Sequence, residues 1–313
     1  MSIASTWAGV GALMVGMQMA RDYGIIPFLL WAFGNTIACI LFGIFAPRIP
    51  KLREVFRSRI MHYLVGFMCV FQVWTNLNGI QSIFDDTPLT GVFGMALAYA
   101  IAIGFIIMLW RNGMIRTVLS DYAAWIGVYA IALLLTVLAM IYSRGNMIPL
   151  TMGADQIGIG IEKCVLLLPG PFLYPYFFEM LDYNEQNGDG TKKINITRVF
   201  INGGLLFGVY LIFTFLLSWT RFPPALSIVL AVLITLLSTV SSFLYSIYIT
   251  FGKRLGLAIN VATVALWQFI IPLGVMGAWT LMSSIRIWIV FGAIAFALAW
   301  HWKEKRSQAK DGR

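Results

Sequence analysis

Long apolar stretches, separated by short polar and charged segments, follow one another along the whole chain. A helix that crosses a bilayer needs about 20 mostly apolar residues, each adding about 1.5 Å of rise. On that ruler the sequence holds ten runs, at 3–20, 24–46, 60–83, 91–110, 122–142, 157–178, 199–219, 224–250, 257–275 and 282–302. The sixth is interrupted by Leu168-Pro169-Gly170-Pro171-Phe172-Leu173-Tyr174-Pro175. Each proline lacks an N–H, and its ring clashes with the preceding turn, so an unbroken helix is excluded there. Backbone carbonyls freed in hydrocarbon need a partner from protein or from a watery cavity. Broken helices of this kind hold solutes and ions in many secondary transporters. A purely structural proline kink is the competing reading.

The eighth run has its own pattern. Thr235, Ser238, Thr239 and Ser242 fall at i, i+3, i+4 and i+7 and share one helix face. A hydroxyl stripe in hydrocarbon serves either as glue between helices and to its own backbone, or as part of an oxygen cage for a hard cation. The third run is dense in polar groups, with Gln72, Trp74, Thr75, Asn76 and Asn78; such side chains face the bundle interior or a cavity. Interhelical hydrogen bonding and solute binding both account for them. Asn35, Thr36, Trp267 and Gln268 are open to the same two readings.

Composition fixes the class. Of 313 residues 60% are hydrophobic and 11% charged, and mean hydropathy is +0.84; an integral membrane protein reads this way. Residues 1–4 offer no basic region ahead of the first run, so no cleavable signal peptide is expected. Cys39, Cys69 and Cys164 all lie in apolar runs, which points to neither a disulfide framework nor a zinc site.

The net charge of +9 is explained by topology rather than by nucleic acid. Seventeen of the 22 basic residues follow the second, fourth, sixth, eighth and tenth runs; the other side keeps Arg21, Arg144, Lys163, Arg221 and Arg286. By the positive-inside rule both termini are cytoplasmic. No acidic or basic side chain is expected mid-membrane, which favours a coupling ion held by neutral oxygens over a proton. Ten spans with both ends on one side divide into two antiparallel sets of five, as an inverted repeat requires. The expected units are 1–142, an extracellular connection at 143–156, 157–302 and a basic tail at 303–313. The matching interruption in run one falls at Gly9, Gly11 and Gly16.

Four stretches resemble the sodium/solute symporter family, whose core is a LeuT-like five-plus-five inverted repeat. Tyr23-Gly24 with Ala46-Pro47-Arg48-Ile49-Pro50-Lys51-Leu52-Arg53 resembles the second core helix and its basic exit. The segment from Arg111-Asn112-Gly113 to Leu119-Ser120-Asp121 is similar to the stretch before the fifth. Gly170-Pro171-Phe172-Leu173-Tyr174-Pro175 resembles the break in the sixth, and Leu237-Ser238-Thr239-Val240-Ser241-Ser242 resembles the Ser-Thr motif of the eighth. The resemblance covers nearly the whole chain and implies an all-α, ten-helix membrane protein with broken first and sixth helices. It lacks the family's usual peripheral helices.

The resemblance further implies a sodium site between the first and eighth helices. Ser238 and Thr239 would supply hydroxyls there, Thr235 a carbonyl, and Ala8 and Gly11 first-helix carbonyls. A solute site would draw on Gly9, Gln72, Trp74, Asn76, Pro171, Phe172, Tyr174 and Gln268, because the third helix lines the central cavity in this fold. Asp121 would attract cations at the inner mouth; a carboxylate favoured by a helix N-terminus is the alternative. Tyr174 stands where the family often has Gln, and Met180 where Arg is common, so no substrate can be carried over. The implied function is sodium-coupled symport of a small organic solute across the plasma (cytoplasmic, inner) membrane, in contact with lipid and with no cofactor beyond the ion. A transport-inactive sensor or partner-binding scaffold is the alternative, and a proton-coupled or uncoupled carrier is a third reading. No enzyme motif is present. Arg21-Asp22 and Glu162-Lys163, at the outer ends of the first and sixth runs, are either solvated charges or outer-gate ion pairs.

The topology is testable in sealed cells. Cysteines placed in the Asp85-Asp86 loop should react with an impermeant thiol reagent from outside, and cysteines at 185–193 should not. Labelling of the second loop would reverse the orientation.

Overall fold

Where lipid offers no hydrogen bonds, a helix is the simplest way for a segment to satisfy its own backbone, and every regular element among the described residues is helical. The computed structural model describes residues 10–84, 92–112, 133–174, 177, 178, 181, 195–221 and 239–311. In chain order, α1 (Val10–Gln18) passes into a π turn (Met19–Tyr23). It is followed by α2 (Ile25–Phe45), a short α3 (Pro50–Arg57), α4 (Arg59–Ser82) and α5 (Val92–Asn112). Next are α6 (Leu133–Tyr142) and α7 (Ile157–Leu167), a 3-10 turn (Gly170–Leu173) and α8 (Ile196–Ser218). The last are α9 (Thr239–Phe251), α10 (Lys253–Leu266), two 3-10 turns between Trp267 and Leu273, and α11 (Gly274–Asp311).

Among the described residues, five helices are long and apolar enough to cross a membrane: α2, α4, α5, α8 and the stretch Ile271–Glu304 that contains most of α11. The sixth run breaks where its prolines require. Helix α7 stops at Leu167, a 3-10 turn follows, and Tyr174 is extended at φ −107° and ψ 99°. Run one behaves otherwise. Gly11 and Gly16 lie inside the continuous α1, and the departure from α geometry comes only at the π turn; Ala8 and Gly9 lie outside the described residues. The ninth run is also interrupted, because Pro272 lacks a donor and Gly274 takes φ +62°. Helix α11 continues through the basic tail to Asp311.

Helix α2 packs against α7 and α8, while α4 packs against α9 and α11, and α1 lies between α4 and α8. Glycines set the closest approaches. A Cβ at Gly34 would stand 2.8 Å from Cys164 Cα and 2.9 Å from its carbonyl oxygen, so α2 and α7 meet backbone to side-chain stub. The segment before α7 caps α2: Ile25 and Ile26 N–H donate to the Thr151 and Met152 carbonyls, both at 3.0 Å. These are first-turn N–H groups with no partner inside their own helix. Gly24, at φ +100°, permits the approach.

Short α3 is amphipathic, burying Leu52, Val55 and Phe56. Its Lys51 reaches Glu54 at 2.8 Å and Glu304 of α11 at 3.1 Å, and lies 4.4 Å from the Trp300 ring centroid. The hydrogen bond that Lys51 donates to the Glu54 carboxylate, with help from Glu304, holds its ammonium above its ordinary pKa. This side of the bundle is therefore laced by charge between α3 and the α11 extension.

A larger side chain at Gly34 must push α7 away. Gly34→Val should lower the thermal stability of purified protein by about 1–3 kcal/mol. Gly104→Val, at a position with nothing within 4 Å of a Cβ, should leave it unchanged.

Candidate functional site

The break in the sixth run borders a cavity of about 50 Å³ inside the bundle. Gly11 and Ala12 of α1 and Trp31 and Asn35 of α2 line one side. Gln72, Thr75 and Asn76 of α4 line another, with Phe243 of α9. Leu167 and Tyr174 flank the break itself, and Trp279, Met282 and Arg286 of α11 complete the wall. A space of this size admits a few waters or a small organic molecule.

Of the residues singled out in the sequence, Gly11, Gln72, Asn76 and Tyr174 come together here. Gly11 of α1 donates its N–H to Asn76 Oδ1 at 3.2 Å. The Asn76 amide nitrogen in turn donates to the Gln72 carbonyl at 2.8 Å. Helix α1 thus enters the membrane interior against the polar face of α4.

The remaining candidates have other places. Trp74 donates through Nε1 to the Thr263 carbonyl of α10 at 2.7 Å. Asn78 donates to the Ile270 and Gly274 carbonyls, freed by the interruption before α11, and accepts from Trp267 Nε1 at 2.7 Å. This end of the polar stripe therefore binds helix to helix, the glue reading. Gln268 is exposed. Thr235, Ser238 and Asp121 lie outside the described residues, as does the side chain of Thr239, the first residue of α9. Ser246, further along α9, back-bonds to the Ser242 carbonyl at 2.8 Å.

Pro171 is buried in the break, and Phe172 belongs to an aromatic cluster on the α3 side of the cavity. The Phe172 ring lies 4.9 Å from Phe42 and 5.3 Å from Phe56. Phe178 is 5.2 Å from Phe42 and 5.3 Å from Phe56, and Phe42 also meets Phe200 at 4.9 Å. Tyr174 joins the cluster to the cavity, with Phe177 at 5.0 Å and Phe243 at 5.3 Å. Phe42 is two helical turns from Asn35, about 10 Å along α2. The ring contacts run from Tyr174 at the cavity wall to Phe56 of α3.

Two basic side chains, Arg286 and Lys163, are buried among the helices. Arg286 is 1% exposed, inside the apolar part of α11. Its Nη2 donates to the Leu166 carbonyl at 2.7 Å and to Ser283 Oγ at 3.2 Å. Leu166 is in the last turn of α7, which the prolines leave short of donors, so the guanidinium caps that helix end. Lys163 is also buried, paired with Glu162 at 3.0 Å and lying 5.6 Å from the Trp279 ring. Arg21 donates to the Ser218 and Thr220 carbonyls at the end of α8, at 3.0 and 2.8 Å. Counting basic residues by loop hid Arg286. Trp279, Met282 and Arg286 follow at i, i+3 and i+7, one face of a helix, and that spacing was the available signal.

Two transporters show similarity to part of this chain. One is named probable urea active transporter 3 of Schizosaccharomyces pombe, 22% identical over 148 residues, which is 42% of this chain and 22% of that protein. The other, named probable urea active transporter 1 of the same organism, is 24% identical over 133 residues, 39% of this chain and 20% of that protein. The aligned segments thus span about a fifth of the relatives' length. No protein-family model matches the chain.

Proposed function

We propose that this protein is a secondary active transporter that moves a small organic solute by alternating access, coupled to sodium. The observation that carries this reading is the cavity at the broken helix, walled by α1, α2, α4, α9 and α11, with an aromatic cluster between the break and α3. A solute-sized space bordered by interrupted backbone between helices is what alternating access requires. The partial similarity to two proteins named as transporters, which are not enzymes, supports the same class. Ten spans in a LeuT-like inverted repeat, with both termini cytoplasmic in the plasma membrane, complete the proposal. The support for that architecture is the alternation of basic segments and the resemblance of the four motifs.

Sodium is favoured by the hydroxyl-bearing Leu237-Ser238-Thr239 stretch facing the start of the first helix in the resembled fold. Hydroxyl and carbonyl oxygens suit a hard cation. Bound between the first and eighth helices, the ion would fix one conformation and raise the affinity for solute; the coupling is reciprocal.

Ion binding is measurable without knowing the solute. Sodium, but not potassium or choline, should raise the purified protein's thermal stability, by about 2.7 kcal/mol at a hundredfold excess over Kd. Ser238→Ala combined with Thr239→Ala should abolish that response. Indifference of the wild-type protein to sodium would sink the coupling mechanism. Sodium binding without solute uptake in liposomes would assign the chain to the sensor class instead.

A further inference from the structure

We infer that the cavity is a binding site for a small carboxylate, with Arg286 as the anchor for its oxygens. The inference rests on the transporter reading for its physiological sense, but the binding site stands or falls separately.

Arg286 brings a full positive charge into the bundle. It lines the cavity and is 1% exposed, and the described wall residues include no aspartate or glutamate. Among the described residues no carboxylate pairs with it; its recorded acceptors are one carbonyl and one hydroxyl, both on Nη2. Nε is buried with no hydrogen-bond partner. A second wall residue repeats the pattern: Trp31, also 1% exposed, has a buried indole Nε1 with no partner. Both groups are donors only. Buried unpaired donors are costly, and a buried unpaired cation more so, unless an acceptor completes them.

Capping the end of α7 does not account for the arrangement. A neutral amide could bond the Leu166 carbonyl without bringing charge into the membrane interior. A guanidinium adds a flat fork of donors that matches the two oxygens of a carboxylate. The rest of the wall suits the remainder of a small organic acid: Asn35, Gln72 and Asn76 offer amides, and Trp31, Trp279 and Tyr174 offer ring faces. A cavity of about 50 Å³ limits the ligand to a few heavy atoms.

The test is equilibrium binding by the purified full chain in detergent, with sodium present throughout. Acetate, propionate and lactate are compared with the neutral isosteres acetamide, propionamide and urea, and with chloride, by thermal shift and by tryptophan fluorescence. The inference expects at least one carboxylate to stabilise saturably and to perturb fluorescence, while its amide does neither. Arg286→Gln should weaken that carboxylate about a hundredfold. If Arg286→Gln does not fold, Arg286→Lys, which keeps the charge but loses the fork, should still bind but more weakly, and Trp31→Phe should reduce affinity without loss of folding. The inference is overturned if none of the three carboxylates binds. It is equally overturned if amides, urea or chloride protect as well as carboxylates, or if the variants bind carboxylate like wild type. Carboxylate binding without sodium-driven uptake in liposomes would leave this site standing and remove the transport reading. Uptake of urea without carboxylate binding would do the reverse.

Discussion

At the centre of the bundle the end of a broken helix meets a buried guanidinium, Leu166 carbonyl to Arg286 Nη2, at 2.7 Å. Prolines withhold donors, and in hydrocarbon nothing but protein or trapped water replaces a missing donor. Pro169 and Pro171 remove two donors from the run, so α7 must end, and its last carbonyls need partners from elsewhere in the fold. Arg286 provides one, which ties α11 to the break. The same break turns Tyr174 toward the cavity and Phe172 into the aromatic cluster below it. The cavity wall and its charge thus meet at one break.

The two other interruptions are handled by the same logic. The carbonyls of Ile270 and Gly274, beside Pro272, are met by the Asn78 amide, whose own oxygen is met by Trp267. The first N–H groups of α2 are met by the carbonyls of Thr151 and Met152. In each case a side chain or loop from a distant part of the sequence supplies what the local backbone lacks. These bonds hold the bundle in register, and they use polar residues that hydropathy alone cannot assign to structure or to solute.

The class and the main break were legible in the sequence because both follow from local chemistry: apolar length, and prolines without donors. The placement of individual side chains was less so. Gln72, Asn76 and Tyr174 reach the cavity, yet Trp74 and Asn78, equally polar neighbours on α4, turn to α10 and to the segment before α11. One residue of helical rotation, about 100°, separates such fates and depends on tertiary packing. Gly11 was read as part of an interruption, but it lies in helical backbone within α1, and its N–H reaches Asn76. Arg286 was read by its contribution to loop charge, although its spacing from Trp279 and Met282 places it on the cavity face. The oxygens proposed for sodium, at Ser238 and Thr235, fall outside the described residues, so the resemblance alone carries them.

The central claim is that the cavity opens and closes through the aromatic seal under control of the ion. Phe172→Cys, in a background with Cys39, Cys69 and Cys164 replaced by alanine, puts a reporter in that seal. In inside-out vesicles the account predicts slow modification by an impermeant thiol reagent in sodium, and several-fold faster modification when choline replaces it. A rate of modification that does not change with sodium would contradict it.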